Sequence, residues 1–176
     1  MENEVKGHKI SRLVVTEDRT IESIIRANMF TFEEPRKKYA KAYKVCNCVH
    51  MDPYAIFMAS SLNLIKLLAG PLNGSNRKPK NIIATNLFKT LSDMRGAMES
   101  SVHIDSLALQ YAKECSRLLF VAKADIDALC GIDYISNTFF PKVHSELSNT
   151  HMALTKWFDI LTTHTALKKN HQLAQI

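Results

Sequence analysis

The segment Pro53 to Ala69 (PYAIFMASSLNLIKLLA) limits what this chain can fold into more than any other feature. It opens on Asp52-Pro53, a helix start signal, and closes on Gly70-Pro71, a helix stop signal. Nearly every position between them is apolar, so a helix here needs cover on all faces and belongs at the centre of the fold. Ser60, Ser61, Asn63 and Lys66 interrupt the run, which reads as a core helix rather than a membrane span.

The rest of the chain supplies helices to surround it. Thr20 caps a short first helix with Ile21, Ile24, Ile25 and Met29 on one face. Pro35 suits the first position of a basic helix spanning 35–49. Asn81 caps a helix whose stripe is Ile83, Leu87, Leu91, Met94 and Met98. Asp105 opens another, with Ala108, Ala112, Cys115, Leu119, Ala122, Ile126 and Leu129 on its inner face and Gly131 at its end. The small residues in that set allow a close helix–helix approach. After a turn over 132–140, Pro141 begins the last helix, with Leu154, Trp157, Phe158 and Leu161 on its apolar side.

The expectation is an all-α, single-domain bundle of about six helices, with room for a short extended segment near the N-terminus. Only Ile10 to Val15 and Lys44 to His50 carry any β character. Residues 1–19 read as an N-terminal arm, 70–81 as a basic loop and 168–176 as a tail that frays. Five Gly and five Pro in 176 residues argue against a turn-dense sandwich, and 46% hydrophobic with 23% charged residues excludes a disordered or fibrous chain. The start, MENEVKGHKISR, is charged and has no apolar stretch of the kind a cleaved export signal carries. A soluble, cytoplasmic protein with four free thiols, Cys46, Cys48, Cys115 and Cys130, is therefore expected.

Charge is unevenly placed. Residues 1–100 hold 16 Lys and Arg against 10 Asp and Glu, while residues 101–176 hold 7 of each, so the whole net charge of +6 lies in the first part. Its densest run is Arg36-Lys37-Lys38-Tyr39-Ala40-Lys41-Ala42-Tyr43-Lys44, which contains no acid. Arg77, Lys78 and Lys80 form a second cluster in the loop. At helical spacing Lys37, Lys41 and Lys44 share a side, with Arg36 and Lys38 flanking it and Tyr39 and Tyr43 on the adjacent side. Cations neutralise phosphates and exposed tyrosines stack on unpaired bases, so the pattern points to single-stranded nucleic acid, RNA above DNA. The expected protein is non-enzymatic and binds nucleic acid through this basic face, with self-association through its neutral C-terminal helices in the manner of a nucleocapsid or coat component. A run of this type also serves as a nuclear-import signal.

Two other surfaces are conceivable from the same residues. A helical adaptor would receive a partner in an apolar groove lined by the Pro53–Ala69 helix with Met94 and Met98. Peripheral contact with an anionic membrane would use the same cations, although the basic run has no large apolar side.

Chemistry-bearing motifs test poorly. Cys46-x-Cys48-x-His50 offers zinc-type ligands, but in a strand the outer two lie ~13 Å apart, and in a helix the two cysteines point to opposite sides. His144/His151 and His164/His171 are each seven apart, ~10.5 Å along a helix, too far for one metal. Asp125-x-Asp127 with Gly131 misses the calcium-loop pattern, which needs its third oxygen ligand at Leu129 and its glycine at Cys130. No phosphate-cradling glycine motif or nucleophile elbow occurs. No catalytic residue, metal or cofactor is expected.

Overall fold

The structure, a computed structural model, describes residues 33–73 and 81–175. Among them are six α-helices and no strand: α1 (Glu33–Lys38), α2 (Ala40–Val45), α3 (Pro53–Asn73), α4 (Ile82–His103), α5 (Ala108–Gly131) and α6 (Phe140–Ala174). A single 3₁₀ turn, Asp105–Leu107, joins α4 to α5. The helix expected at 21–29 and the extended segment at 10–15 lie outside the described residues.

The four long helices close into a ring in which α3 meets α4, α4 meets α5, α5 meets α6 and α6 meets α3. The α4–α5 and α3–α6 faces are the most extensive. Pairings show the direction of α3 against α6: Tyr54 lies against Trp157 and Ser60 Oγ is 2.8 Å from Thr150 Oγ1, so the two helices run antiparallel. On α5 the inner face is Ala108, Ala112, Cys115, Leu119, Ala122, Ile126 and Leu129, all buried. Leu87, Leu91, Met94 and Met98 of α4 are buried opposite them. Small residues on one side and long ones on the other let the pair interdigitate closely.

Local signals explain most boundaries. Asn81 Oδ1 accepts from the backbone N–H groups of Ile83 (2.8 Å) and Ala84 (3.4 Å), satisfying two otherwise orphaned donors at the start of α4. Asp52 does the same for α3, accepting from the N–H groups of Tyr54 (3.0 Å) and Ala55 (3.3 Å), with Pro53 at the first helical position where its missing N–H costs nothing. One stop signal fails: α3 runs through Gly70 and Pro71 to Asn73. Pro71 removes a single i→i−4 bond in the final turn of a helix already propagated, a small loss there. The stretch from Pro53 to Gly70 is long and apolar enough to cross a membrane, and 56% of it is buried inside the bundle. The last helix continues to Ala174, through the segment expected to fray, with exposed side chains over its final turns.

Above one end of the ring, α2 lies against α6 and α1 against α2, with Arg36 of α1 reaching Asp52 at the start of α3. The joint is the fully buried Asp52 carboxylate. Arg36 Nε donates to one oxygen at 2.7 Å, and Tyr43 Oη donates to the other at 2.8 Å. Beneath it the fully buried Trp157 donates its indole N–H to Ser101 Oγ at 2.9 Å. Tyr39 and Tyr43 stand edge-on to its ring at centroid distances of 5.4 and 6.5 Å, and Tyr54 tilts against it at 5.6 Å. Such edge-on pairs add to the area buried.

Asp52→Ala leaves Arg36 and Tyr43 without an acceptor and uncaps α3, and should cost about 3 kcal/mol in urea unfolding. Tyr43→Phe removes only one donor and should cost about 1 kcal/mol. Equal losses for both would show that the carboxylate is not the centre of the joint. Glu146 offers the opposite case. Burial lifts its carboxyl above the ordinary glutamate range, with Asn63 and Asn149 pulling it partly back, and one carboxyl oxygen has no hydrogen-bond partner. The unfolded chain releases this proton at lower pH than the folded one, so the fold loses stability as pH rises through the folded value. Glu146→Gln should therefore stabilise the protein at pH 7 in the same unfolding assay, and a loss would refute that account.

Candidate polyanion-binding face

The run 35–49 does not form one helix. It breaks at Tyr39 (φ −108°, ψ 24°), leaving two short helices, α1 and α2. The break follows from what the side chains reach. Tyr39, Ala42 and Tyr43 turn inward to the core, while Lys38 Nζ donates to the Val102 carbonyl at 2.6 Å and pairs with Asp105. A continuous helix would have to hold both sets of contacts on one regular face.

The five cations of α1 and α2 therefore divide. Arg36 and Lys38 are used inside the fold, by Asp52 and by Asp105 with Val102. Lys37, Lys41 and Lys44 face outward and are exposed. Among the described residues, neither Lys41 nor Lys44 pairs with a carboxylate. No Asp or Glu occurs between residues 35 and 51, and Asp52 is buried and fully engaged.

Helix α6 adds cations that linear sequence reading missed. Lys168 lies near Asp105 and His164, and Lys156 near Cys48, where the exposed Asp159 carboxylate of the same helix lies as well. The Lys38 ammonium, with help from Lys168, holds the Asp105 carboxyl below the usual range. Burial first, and then the Lys168 charge, press the His164 imidazole below its ordinary value, and its ring stands edge-on to Tyr39 at 4.7 Å. No periodicity could have shown these neighbours, because they are more than 100 residues from the basic run.

At its far end α2 closes with a Schellman motif. Cys48 N donates to the Tyr43 carbonyl at 2.8 Å and Asn47 N to the Lys44 carbonyl at 3.2 Å, with Asn47 in the left-handed region at φ 54°. The expected strand character of 44–50 is thus a helix end and a turn. Cys48 points in and is buried, and its Sγ donates to the Cys46 carbonyl at 3.3 Å. Val45, Val49 and Met51 point out, at 65, 51 and 50% exposure.

Tyr39 and Tyr43 therefore do not stand beside the outward lysines as base-stacking platforms; both lie in the core. Arg77, Lys78 and Lys80 lie outside the described residues. The adaptor groove expected around Met94 and Met98 is filled, since both are fully buried. Cys46 Sγ sits 3.3 Å from Thr163 Oγ1, and no cluster among the described residues could hold a metal. Cys115 is enclosed by apolar neighbours that push its thiol well up, so it is not primed as a nucleophile. His144 and His151 share one side of α6, as their spacing predicts, and border a cavity of about 300 Å³ against Phe120 and Lys123 of α5. His171 is exposed near Gln175.

Comparison with protein-family models, with curated proteins and with solved structures finds no match for this chain.

Burial raises the phenol of Tyr39 to about 12 and those of Tyr43 and Tyr54 further still. The unfolded chain gives up these protons from about pH 10, and the folded chain holds them longer. Stability should therefore fall as pH climbs from about 10 towards 12. Phenolate absorbance should show no more than two of the five tyrosines ionising before unfolding sets in. Four or five ionising while the near-ultraviolet signal of Trp157 persists would mean the tyrosines are not buried as described.

Proposed function

We propose that this chain is a non-enzymatic binding protein that docks on a phosphate-bearing polyanion through the outward cations of α2, Lys41 and Lys44. One observation carries the reading: Lys41 and Lys44 are exposed, unpaired with any carboxylate among the described residues, and the next acid after them in the chain, Asp52, is consumed inside the joint. Uncompensated cations on a fixed framework raise the local concentration of anions and attract phosphates without reading sequence.

Single-stranded RNA carries such phosphates and is the probe that the charge run suggests. With Tyr39 and Tyr43 inside, its contacts are to phosphates and not to bases. Binding of this kind is indifferent to sequence and falls steeply with salt.

The test is the affinity for a fluorescent single-stranded RNA of about twenty nucleotides across a salt series. Two contacts, from Lys41 and Lys44, should give a slope of log K against log salt of about −1.4. Lys41→Glu with Lys44→Glu should abolish binding at moderate salt and leave the Trp157 signal unchanged, since both side chains are exposed. A salt-independent affinity, or a charge-reversed variant that binds as well as the parent, would overturn the proposal.

A further inference from the structure

We infer that the polyanion is the surface of an anionic lipid bilayer, engaged by the α2–α3 turn with its lysines on phosphate headgroups and its aliphatic side chains in the interface. The inference rests on the phosphate-docking reading above and names its partner. Its observation is separate: Val45, Val49 and Met51 are all at least half exposed within seven residues of chain. Exposed apolar residues scattered singly, like Ile82 or Leu173 here, are ordinary on a protein surface. Three within seven residues, at the end of α2 and on the turn after it and next to Lys41 and Lys44 in the chain, give this stretch one apolar and one cationic part.

The composition of that surface selects among polyanions. A nucleic acid strand answers the lysines but offers aliphatic side chains little, because its bases need flat aromatic platforms and both tyrosines of the run are buried. An anionic bilayer answers both parts, headgroup charge for the lysines and acyl boundary for Val45, Val49 and Met51. His50, also exposed on the turn, adds no negative charge, and the one exposed carboxylate of α6 that reaches Cys48, Asp159, is accompanied there by Lys156. A single such signal gives only marginal membrane binding, and an apolar part acting together with a cationic one strengthens it.

The turn is also held ready. Its N-terminal side ends in the Schellman bonds to Tyr43 and Lys44, and its C-terminal side is anchored by the engaged Asp52. Met51 N donates to the Cys48 carbonyl at 3.3 Å between the two. The exposed side chains are presented by a backbone whose conformation is already set, so docking has little chain entropy to lose.

The experiment is sedimentation of the full chain with phosphatidylcholine vesicles containing about one third phosphatidylserine, with pure phosphatidylcholine vesicles and the twenty-nucleotide RNA as parallel arms. The parent should bind the anionic vesicles, should bind the neutral ones at least about tenfold more weakly, and should be released by salt. Val49→Ser with Met51→Ser should lower vesicle binding about tenfold and leave any RNA binding unchanged. Lys41→Glu with Lys44→Glu should lower both. Binding to anionic vesicles that ignores Val49→Ser with Met51→Ser would overturn the inference, because charge alone would then account for it. RNA binding without vesicle binding would also overturn it, while leaving phosphate docking in place with nucleic acid as the partner. Failure of both arms at low salt would remove the phosphate-docking reading as well.

Discussion

The buried carboxylate of Asp52 is the interaction on which the rest of this structure depends. It gathers four donors from three elements: Arg36 Nε of α1, Tyr43 Oη of α2, and the backbone N–H groups of Tyr54 and Ala55 at the start of α3. A charge removed from water needs its lone pairs occupied and a counter-ion close by, and this set provides both. Because the donors come from different elements, satisfying the carboxylate also fixes where α1 and α2 sit. It does so at the point where the central helix begins, so the short basic helices are tied to the core at its N-terminal end.

That tie explains how much of the fold could be read in advance. The helices α4 and α5 follow from periodicity, and α4 from its cap as well: Asn81 caps, the Leu87–Met98 stripe is buried, and every residue of the expected α5 face is inside, although Asp105 opens a 3₁₀ turn and α5 itself starts at Ala108 with no side-chain cap. Their signals are local, within a few turns of one helix. The failures share the opposite property. Whether Tyr39 and Tyr43 face water or core depends on Trp157, on a helix more than 100 residues away, and an i, i+4 pair suits either answer. The alternation of Val45, Cys46, Asn47, Cys48 and Val49 has the period of a strand. Asn47 accepts a left-handed backbone at small cost, so the same five residues close a helix instead.

The candidate face was legible in its charges and illegible in its chemistry. Five cations in nine residues were visible as a run, but not that Asp52 and Asp105 claim Arg36 and Lys38. Nor could the run show that Lys156 and Lys168 come near it, since that requires α6 to pack against α2. The aliphatic trio escaped notice for a plainer reason. Val45, Val49 and Met51 are the residue types a sequence reader assigns to the inside, and only the direction of the turn puts them outside.

The division of labour within the basic run follows from the geometry of one short amphipathic segment. Two short helices that must bury two tyrosines between them have only one remaining side for their charges, and the cations at its edges lie close enough to the core to be captured by buried or bordering carboxylates. Arg36 and Lys38 sit at those edges; Lys41 and Lys44 sit furthest from them. Capture of the edge cations stiffens the segment, and a stiff segment presents the outer cations and the turn beyond them in a fixed arrangement. The inward tyrosines are thus what make the outward lysines a surface rather than a loose charged tail, although they make no contact with anything outside the protein.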